Sequence, residues 1–152
     1  MPHDMSAAIS RQDRAEYDDA NIFARILRGE AACDAVYEDE YALAFHDIRP
    51  QAPVHVVVIP KGRYVNFDDF SAHASAEEIA GLARAVGHVA RIAGTASSGY
   101  RIISNIGRDA GQSVPHFHVH VLGGRLLPCG CMSRCAQPSY LGCRGIDIRS
   151  AA

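Results

Sequence analysis

The chain has 152 residues, of which 48% are hydrophobic and 21% are charged, and its formal net charge is −2. This composition excludes a wholly disordered chain, and the length fits one domain with a buried core. The balanced charge gives no general attraction to nucleic acid, and no apolar run reaches the roughly 20 residues that cross a bilayer, so we expect neither partner. Eight histidines stand out, as do five cysteines, an odd number that argues against a secreted disulfide framework.

The N-terminal region divides at Asn21. Residues 1–20 are polar and contain no apolar signal segment, so we expect a loose extension and a cytoplasmic protein. Asn21 can cap a short helix that Gly29 ends. The apolar residues of that helix share one face, and they are Ile22, Phe23, Ile26 and Leu27.

The next segments predict strands. Ala35–Tyr37 and Tyr41–Phe45 flank an acidic turn, which is typical of a hairpin, and Val54–Ile59 forms a third strand that Pro60 ends. Further along, Ser75 and Glu78 have the spacing of a capping box, and a long amphipathic helix follows them.

Two more strands complete the predicted sheet. They are Tyr100–Ser104 and His116–Leu122, and the glycine-containing loop Asn105–Val114 joins them. The order of elements predicts an α+β domain with a mainly antiparallel five-stranded sheet, one long helix and one short helix. We see no internal repeat and no second domain.

Three histidines alternate with apolar residues in the last of these strands. Because side chains alternate across a strand, His116, His118 and His120 share one face, roughly 6.5 Å from one to the next. The apolar residues between them share the other face, which can anchor the strand in the core. A row of three imidazoles is hard to explain by packing alone.

Three interpretations of this row compete. It could be a structural, hydrogen-bonded row, or it could bind a metal, since neutral imidazole suits zinc, copper, iron and nickel. The first acidic residue after His120 is the distant Asp147, so we predict no metal ligands, although a remote ligand stays possible. The favoured interpretation is nucleophilic catalysis, because a group with a pKa near 6.5 is mostly neutral at pH 7 and attacks phosphorus readily.

The loop before the row supports phosphate chemistry. Between Asn105 and Ser113 it contains two glycines, which allow close backbone approach. Its amide and hydroxyl groups can bind an anionic oxygen. Such a loop alone is weak evidence, but its position directly before three histidines strengthens the interpretation.

The residues from Gly111 to Arg125, Gly-Gln-Ser-Val-Pro-His-Phe-His-Val-His-Val-Leu-Gly-Gly-Arg, closely resemble the motif of the histidine triad (HIT) family. The Gly-Gly-Arg ending resembles the Hint branch, the histidine triad nucleotide-binding proteins. The likeness extends upstream through Asn21-Ile-Phe-Ala-Arg-Ile-Leu and Ala44-Phe-His-Asp-Ile48, and it covers residues 21–125.

The resemblance implies a homodimer in which two sheets join into one. It also implies hydrolysis of purine nucleoside 5′-phosphoramidates, of AMP-amine or aminoacyl-AMP type, with AMP or GMP as the bound nucleotide. His118 would be the nucleophile that forms a nucleotidyl-histidine, while His116 and His120 would position the phosphate. His55 would steady or pass a proton, and Ser113 would contact the phosphate or the leaving amine.

The resemblance further implies a nucleoside pocket with apolar walls and one carboxylate, Asp47, that accepts from the ribose hydroxyls. Ordinary core packing is the alternative for its apolar members. The predicted pocket residues are Ile22, Phe23, Ile26, Phe45, His46, Asp47 and Ile48. The predicted phosphate-side residues are Asn105, Gly111, Gln112, Ser113 and Val114.

The chain departs from the Hint pattern in three places. Pro115 stands where an aromatic residue is usual, so the strand is expected to begin there. Asn21 and Ala24 stand where some relatives carry a zinc-binding Cys-x-x-Cys, so we expect no zinc there and no cofactor. Residues 126–152 form a divergent tail, which makes substrate preference less secure than reaction class.

The tail contains Cys129, Cys131, Cys135 and Cys143, whose spacing lacks the paired arrangement of zinc sites and predicts free thiols. Cys33 is expected to be a small residue near the core. Two functional alternatives stay open: hydrolysis of dinucleoside polyphosphates, which the Gly-Gly-Arg125 ending disfavours, and a non-catalytic nucleotide-binding or partner-binding module.

Overall fold

The structure, a computed structural model, describes residues 16–128. Five strands form one antiparallel sheet in the order β1-β2-β3-β5-β4, which confirms the predicted α+β fold. Within these residues no helix is long and apolar enough to cross a membrane. The elements are α1 (Ile22–Leu27), β1 (Ala35–Glu38), β2 (Ala42–His46), β3 (Val54–Pro60), α2 (Phe67–His73), α3 (Ala76–Ile92), β4 (Tyr100–Ile103) and β5 (Val119–Gly123).

Local signals fix the ends of the predicted elements. The Asn21 side chain accepts from the Ala24 amide and caps α1, and Gly29 follows that helix with a left-handed φ of 73°. Ser75 and Glu78 form the reciprocal capping box that begins α3. Asp39 forms the hairpin turn, because one of its oxygens accepts from the amides of both Tyr41 and Ala42.

The helix α2 was not predicted. Asn66 caps it by accepting from the Asp69 amide, and its own residue Phe70 is buried. An asparagine cap followed by apolar residues three apart was a usable signal. The segment spans only two turns, however, which is too short for a clear helical period.

The sheet has two unlike faces, which we name the α3 face and the α1 face after the helices that cover them. On the α3 face a large apolar core joins sheet and helix residues, among them Val56, Val58, Val121, Leu82, Val86 and Val89. On the α1 face a smaller cluster packs against α1, and its members are Leu43, Phe45, Val57, Ile59, Phe23, Ile26 and Leu27.

The predicted strand over residues 116–122 is corrected to Val119–Gly123. Pro115 has no N–H, and the backbone after it bonds outside the sheet: Phe117 N–H donates to the Tyr64 carbonyl, 2.7 Å away. The side chains still alternate. Phe117 contacts the ring of Phe70 on the α3 face, whereas His118 contacts the ring of Phe23 on the α1 face.

The described residues include only the end of the predicted extension and the start of the predicted tail. The expectations for residues 1–15 and for the cysteines at 129, 131, 135 and 143 lie outside them. Cys33 is exposed, so the expectation that it lies near the core is wrong.

Candidate active site

The histidine segment is held by its own backbone and by neighbouring loops. The His116 ring donates from Nε2 to the Pro60 carbonyl at 2.9 Å, and the Ser104 hydroxyl donates to the His118 carbonyl at 2.8 Å. His116 and His118 are each exposed by no more than 2%. These bonds hold the ring of His116 and the backbone of His118 in place before the hydrogen-bonded pairing of β5 begins.

The hydrogen bonds of His118 determine which ring nitrogen can react. Its Nδ1 lies 2.7 Å from the carbonyl oxygen of His116, and a carbonyl can only accept, so Nδ1 carries the proton. In the neutral ring Nε2 therefore has the free lone pair. Among residues 16–128 that atom has no hydrogen-bond partner, so it is available to an electrophile.

A chain of hydrogen bonds fixes the proton positions on the next pair of histidines. The Gln51 amide donates to His55 Nδ1 at 3.1 Å, so in a neutral ring the proton of His55 is on Nε2. That Nε2 lies 2.9 Å from Nδ1 of His120, which therefore accepts. The neutral His120 ring then carries its own proton on Nε2, where it can donate to an anionic oxygen.

Burial keeps these four rings neutral. It lowers the pKa of His116 to about 4 and the pKa of His120 to about 4, the latter also through repulsion from His118 and His55. Burial likewise lowers the pKa of His118 and of His55, although the Asp47 carboxylate opposes the shift in both. At neutral pH the cluster thus consists of neutral imidazoles, the form that a nucleophile requires.

An open cavity of about 570 Å³ lies on the α1 face. All seven predicted nucleoside-pocket residues line it, and so do Ser113 and Val114 from the loop. Cys33, Asp34 and Arg49 also line it and were not predicted. The remaining loop residues of the prediction, Asn105, Gly111 and Gln112, do not line it. Apolar walls with a few polar groups at one end suit a flat ring joined to a polar chain.

The side chain of Gln112, predicted to lie on the phosphate side of the site, is instead bonded within the protein. Its side-chain amide donates to the carbonyls of Val65 and Val114, and its Oε1 accepts from the Gly107 amide. These three bonds engage the amide within the protein and hold the loop against the segment before α2. Ser113, by contrast, is exposed at the cavity, with its hydroxyl available.

Asp47 is the carboxylate that sequence spacing alone could not place beside the histidines. Its Oδ2 lies 3.4 Å from His55 Nε2 and 3.9 Å from His120 Nδ1, while its Oδ1 accepts from the Arg49 amide. Asp47, His55 and His120 are close enough together to hold a metal ion. The proton shared by the two rings would have to leave first, because a metal binds the ring lone pairs.

Four further residues that bond to the site histidines are not predicted from the sequence: Tyr17, Gln51, Pro60 and Ser104. Gln51 and Pro60 act through backbone groups, which every residue has, so no residue type marks them. Ser104 directly follows β4, and only the pairing of β4 with β5 brings it to His118. Tyr17 lies 99 positions from the histidine that it contacts.

Comparison with known proteins identifies the family of this chain. The family model described as the HIT domain matches residues 28–127. An uncharacterised HIT-like protein of Azospirillum brasilense is 67% identical over 111 residues, covering 73% of this chain and 91% of that protein. The purine nucleoside phosphoramidase of Escherichia coli K12 is 44% identical over 109 residues, with 70% and 88% covered. A HIT family hydrolase from Legionella pneumophila superposes with a TM-score of 0.66 at 37% identity, covering 71% of this chain and 96% of that one.

The fold and the site define a class of protein: a small α+β domain in which a buried His-x-His-x-His segment contacts Phe23, a residue in the wall of an open cavity. The comparisons then give the relationship. The chain belongs to the HIT family, whose members among these relatives include hydrolases.

Proposed function

We propose that this protein hydrolyses purine nucleoside 5′-phosphoramidates, of AMP-amine or aminoacyl-AMP type, through a nucleotidyl-histidine intermediate on Nε2 of His118. The observation that carries the proposal is the proton on Nδ1 of His118, which leaves Nε2 with its lone pair in a neutral, buried ring. The phosphoramidase relative at 44% identity supports the substrate class.

In the first step Nε2 of His118 forms a bond to phosphorus while the P–N bond of the substrate breaks. The leaving nitrogen takes one proton, which the exposed hydroxyl of Ser113 can relay from solvent. The Nε2–H of His120 donates to a phosphoryl oxygen and stabilises its growing negative charge.

In the second step water attacks phosphorus, the P–Nε2 bond breaks, and the proton lost by the water returns to solvent. The products are the free amine and the nucleoside 5′-monophosphate. The purine would lie between the apolar walls near Phe23 and Phe45, and Asp47 would accept from the ribose hydroxyls. His116 fixes the carbonyl that orients His118.

The experiment that tests this is trapping of the intermediate. Wild-type protein is mixed with a fluorogenic AMP-amine, quenched in mild base and mapped by mass spectrometry. We expect an AMP adduct on His118 and no turnover in His118→Ala. Turnover by that variant at the wild-type rate would refute the role of His118. Turnover of diadenosine polyphosphate in preference to the AMP-amine would favour the other enzyme class, and AMP binding without any turnover would favour a binding module.

We also propose that two copies associate through β4, which is an edge strand of the sheet. Ile102 on this strand is 57% exposed. Together with Ile79 and Ile106 it lines a second, apolar cavity of about 440 Å³, which is separate from the one on the α1 face. A second copy paired along β4 would satisfy the free edge and cover this surface. Sedimentation of the wild-type protein and of Ile102→Lys tests this, with a dimer expected for the first and a monomer for the second.

A further inference from the structure

Tyr17 reaches the first histidine of the site from outside the region that the family model matches. Its hydroxyl oxygen lies 2.5 Å from Nδ1 of His116, and the two rings meet edge to face with centroids 5.6 Å apart. The matched region begins only at residue 28. Tyr17, which falls within the expected loose extension, therefore contacts the histidine cluster.

The direction of this hydrogen bond follows from the other side of the ring. Nε2 of His116 donates to the Pro60 carbonyl, so in the neutral ring Nδ1 has no proton and must accept. Tyr17 can donate because its phenol is protonated at neutral pH, where burial raises its pKa further. Both nitrogens of His116 are thus engaged, one by Tyr17 and one by Pro60.

Tyr17 is itself held in place. The Arg63 guanidinium lies 5.2 Å from the centroid of the Tyr17 ring, and it pairs with the Asp19 carboxylate at 2.5 Å. Asn21, the cap of α1, donates from its backbone and side chain to the Asp18 carbonyl. The segment before α1 is therefore tied both to α1 and to the loop that follows β3.

We propose that Tyr17 is a positioning residue for the reaction at His118, acting through His116. The inference rests on the proposed function for its kinetic consequence. The His116 carbonyl accepts from Nδ1–H of His118, so the place of His116 sets the direction of the reactive Nε2. Without the Tyr17 hydroxyl, a ring nitrogen of a fully buried histidine loses its donor, and the geometry that it supports loosens.

Tyr17→Phe tests this, because it removes the hydroxyl and keeps the ring against His116 and Arg63. We expect kcat to fall about fivefold to tenfold, the loss expected for one hydrogen bond, while KM stays within about twofold. Tyr37→Phe is the matched control, since the Tyr37 hydroxyl donates to Asp39 in the hairpin turn. It should keep the wild-type kcat, and thermal unfolding of both variants shows whether either has lost its fold.

Imidazole ¹⁵N spectra of the free protein give a second readout that needs no substrate. In Tyr17→Phe the Nδ1 signal of His116 should move toward that of an unbonded ring nitrogen, and in Tyr37→Phe it should not. An unchanged kcat, or a fall in kcat with no change at His116, would overturn the inference. If the wild-type protein turns over no phosphoramidate, the proposed function fails. The spectrum then decides alone: a moved Nδ1 signal supports the positioning contact, and an unmoved one overturns it.

Discussion

The two faces of the sheet are covered to very different extents. On the α3 face a helix of 17 residues lies across the sheet, and apolar side chains fill the space between them. On the α1 face a helix of only six residues covers a cluster of four buried sheet residues, and beside it lie the cavity and the buried histidines.

The two faces therefore contribute differently: the α3 face mainly stabilises the fold, and the α1 face mainly holds the groups that can do chemistry. Apolar area removed from water stabilises the fold, and most of it lies on the α3 face. The α1 face buries polar rings, which costs free energy unless each ring is hydrogen-bonded, and it leaves an opening for a ligand. Substitutions on the α3 face should therefore change the free energy of unfolding, and those at the histidines should change turnover.

The largest expected effect is on turnover. His120→Ala removes the Nε2–H donor and should lower kcat for an AMP-amine by about 10² to 10³, the usual loss when one hydrogen-bond donor to a developing negative charge is removed. His88→Ala on α3 is the control, because its half-buried ring contacts Tyr37, on the other side of the sheet from the histidine cluster. Steady-state kinetics measure both variants. A His120→Ala protein with the turnover of His88→Ala would contradict the assignment.

The second effect is on stability. Leu82→Ala removes a side chain that is 4% exposed from the centre of the α3 face, and it should lower the free energy of unfolding by about 2 to 5 kcal/mol. Urea unfolding measures the loss. The kcat of the folded fraction should stay close to the wild-type value, and a large fall in kcat would mean that the two faces are coupled.

The sequence predicted the α3 face better than the α1 face. The helix α3 has a capping box and an apolar repeat within one segment, so its start and its buried side could be read locally. Strand β3 is apolar apart from His55, and its presence over Val54–Pro60 confirms the predicted strand. Such elements are determined by near neighbours in the chain.

Only those parts of the site that show a local sequence pattern or a family resemblance could be predicted. The alternation of histidines placed the three rings on one face. The start of β5, however, depends on a bond from the Phe117 amide to the distant Tyr64 carbonyl and on a bond from the Ser104 hydroxyl to the His118 carbonyl. The Tyr17 hydroxyl likewise acts across 99 positions. The Gln51 bond to His55 spans only four positions, but it comes from a backbone amide, which no residue type marks. A lone tyrosine in a polar segment carries no signal of such a contact.

The third effect is a decrease in the free energy of unfolding at acidic pH. Folding lowers the pKa values of His116 and His120 below the unfolded value of about 6.5, so below that pH the unfolded chain binds more protons and stability falls. We expect a loss of roughly 3 to 4 kcal/mol between pH 7 and pH 5 from His116 and His120 together, and further loss toward pH 4.

Urea unfolding at the two pH values measures this loss. The carboxylate of Glu78 should contribute little to this loss, because its hydrogen bond from the Ser75 amide lowers its pKa and keeps it ionised at pH 5. His116→Asn should lose less stability on acidification than the wild-type protein does. Equal stability of the wild-type protein at pH 5 and pH 7 would show that the rings are charged in the folded state.

The smallest predicted effects are those of two glycine-to-alanine substitutions on α3. They should change the free energy of unfolding in opposite directions. At Gly81 a Cβ would lie 2.4 Å from ring atoms of Tyr41 and 2.7 Å from its Cβ. Tyr41 cannot easily yield, because its amide donates to Asp39 and its carbonyl accepts from the Lys61 amide. Gly81→Ala should therefore lower the free energy of unfolding by about 1 to 2 kcal/mol.

At Gly87 the nearest atom to an added Cβ is the guanidinium end of Arg91, 3.3 Å away on a flexible side chain. Gly87→Ala should raise the free energy of unfolding by up to about 1 kcal/mol, because alanine gains helix propensity without a clash. Helix propensity acts equally at both positions, so urea unfolding of the pair isolates the contact with Tyr41. If both variants were stabilised to the same extent, α3 would not pack against the start of β2 as closely as the structure has it.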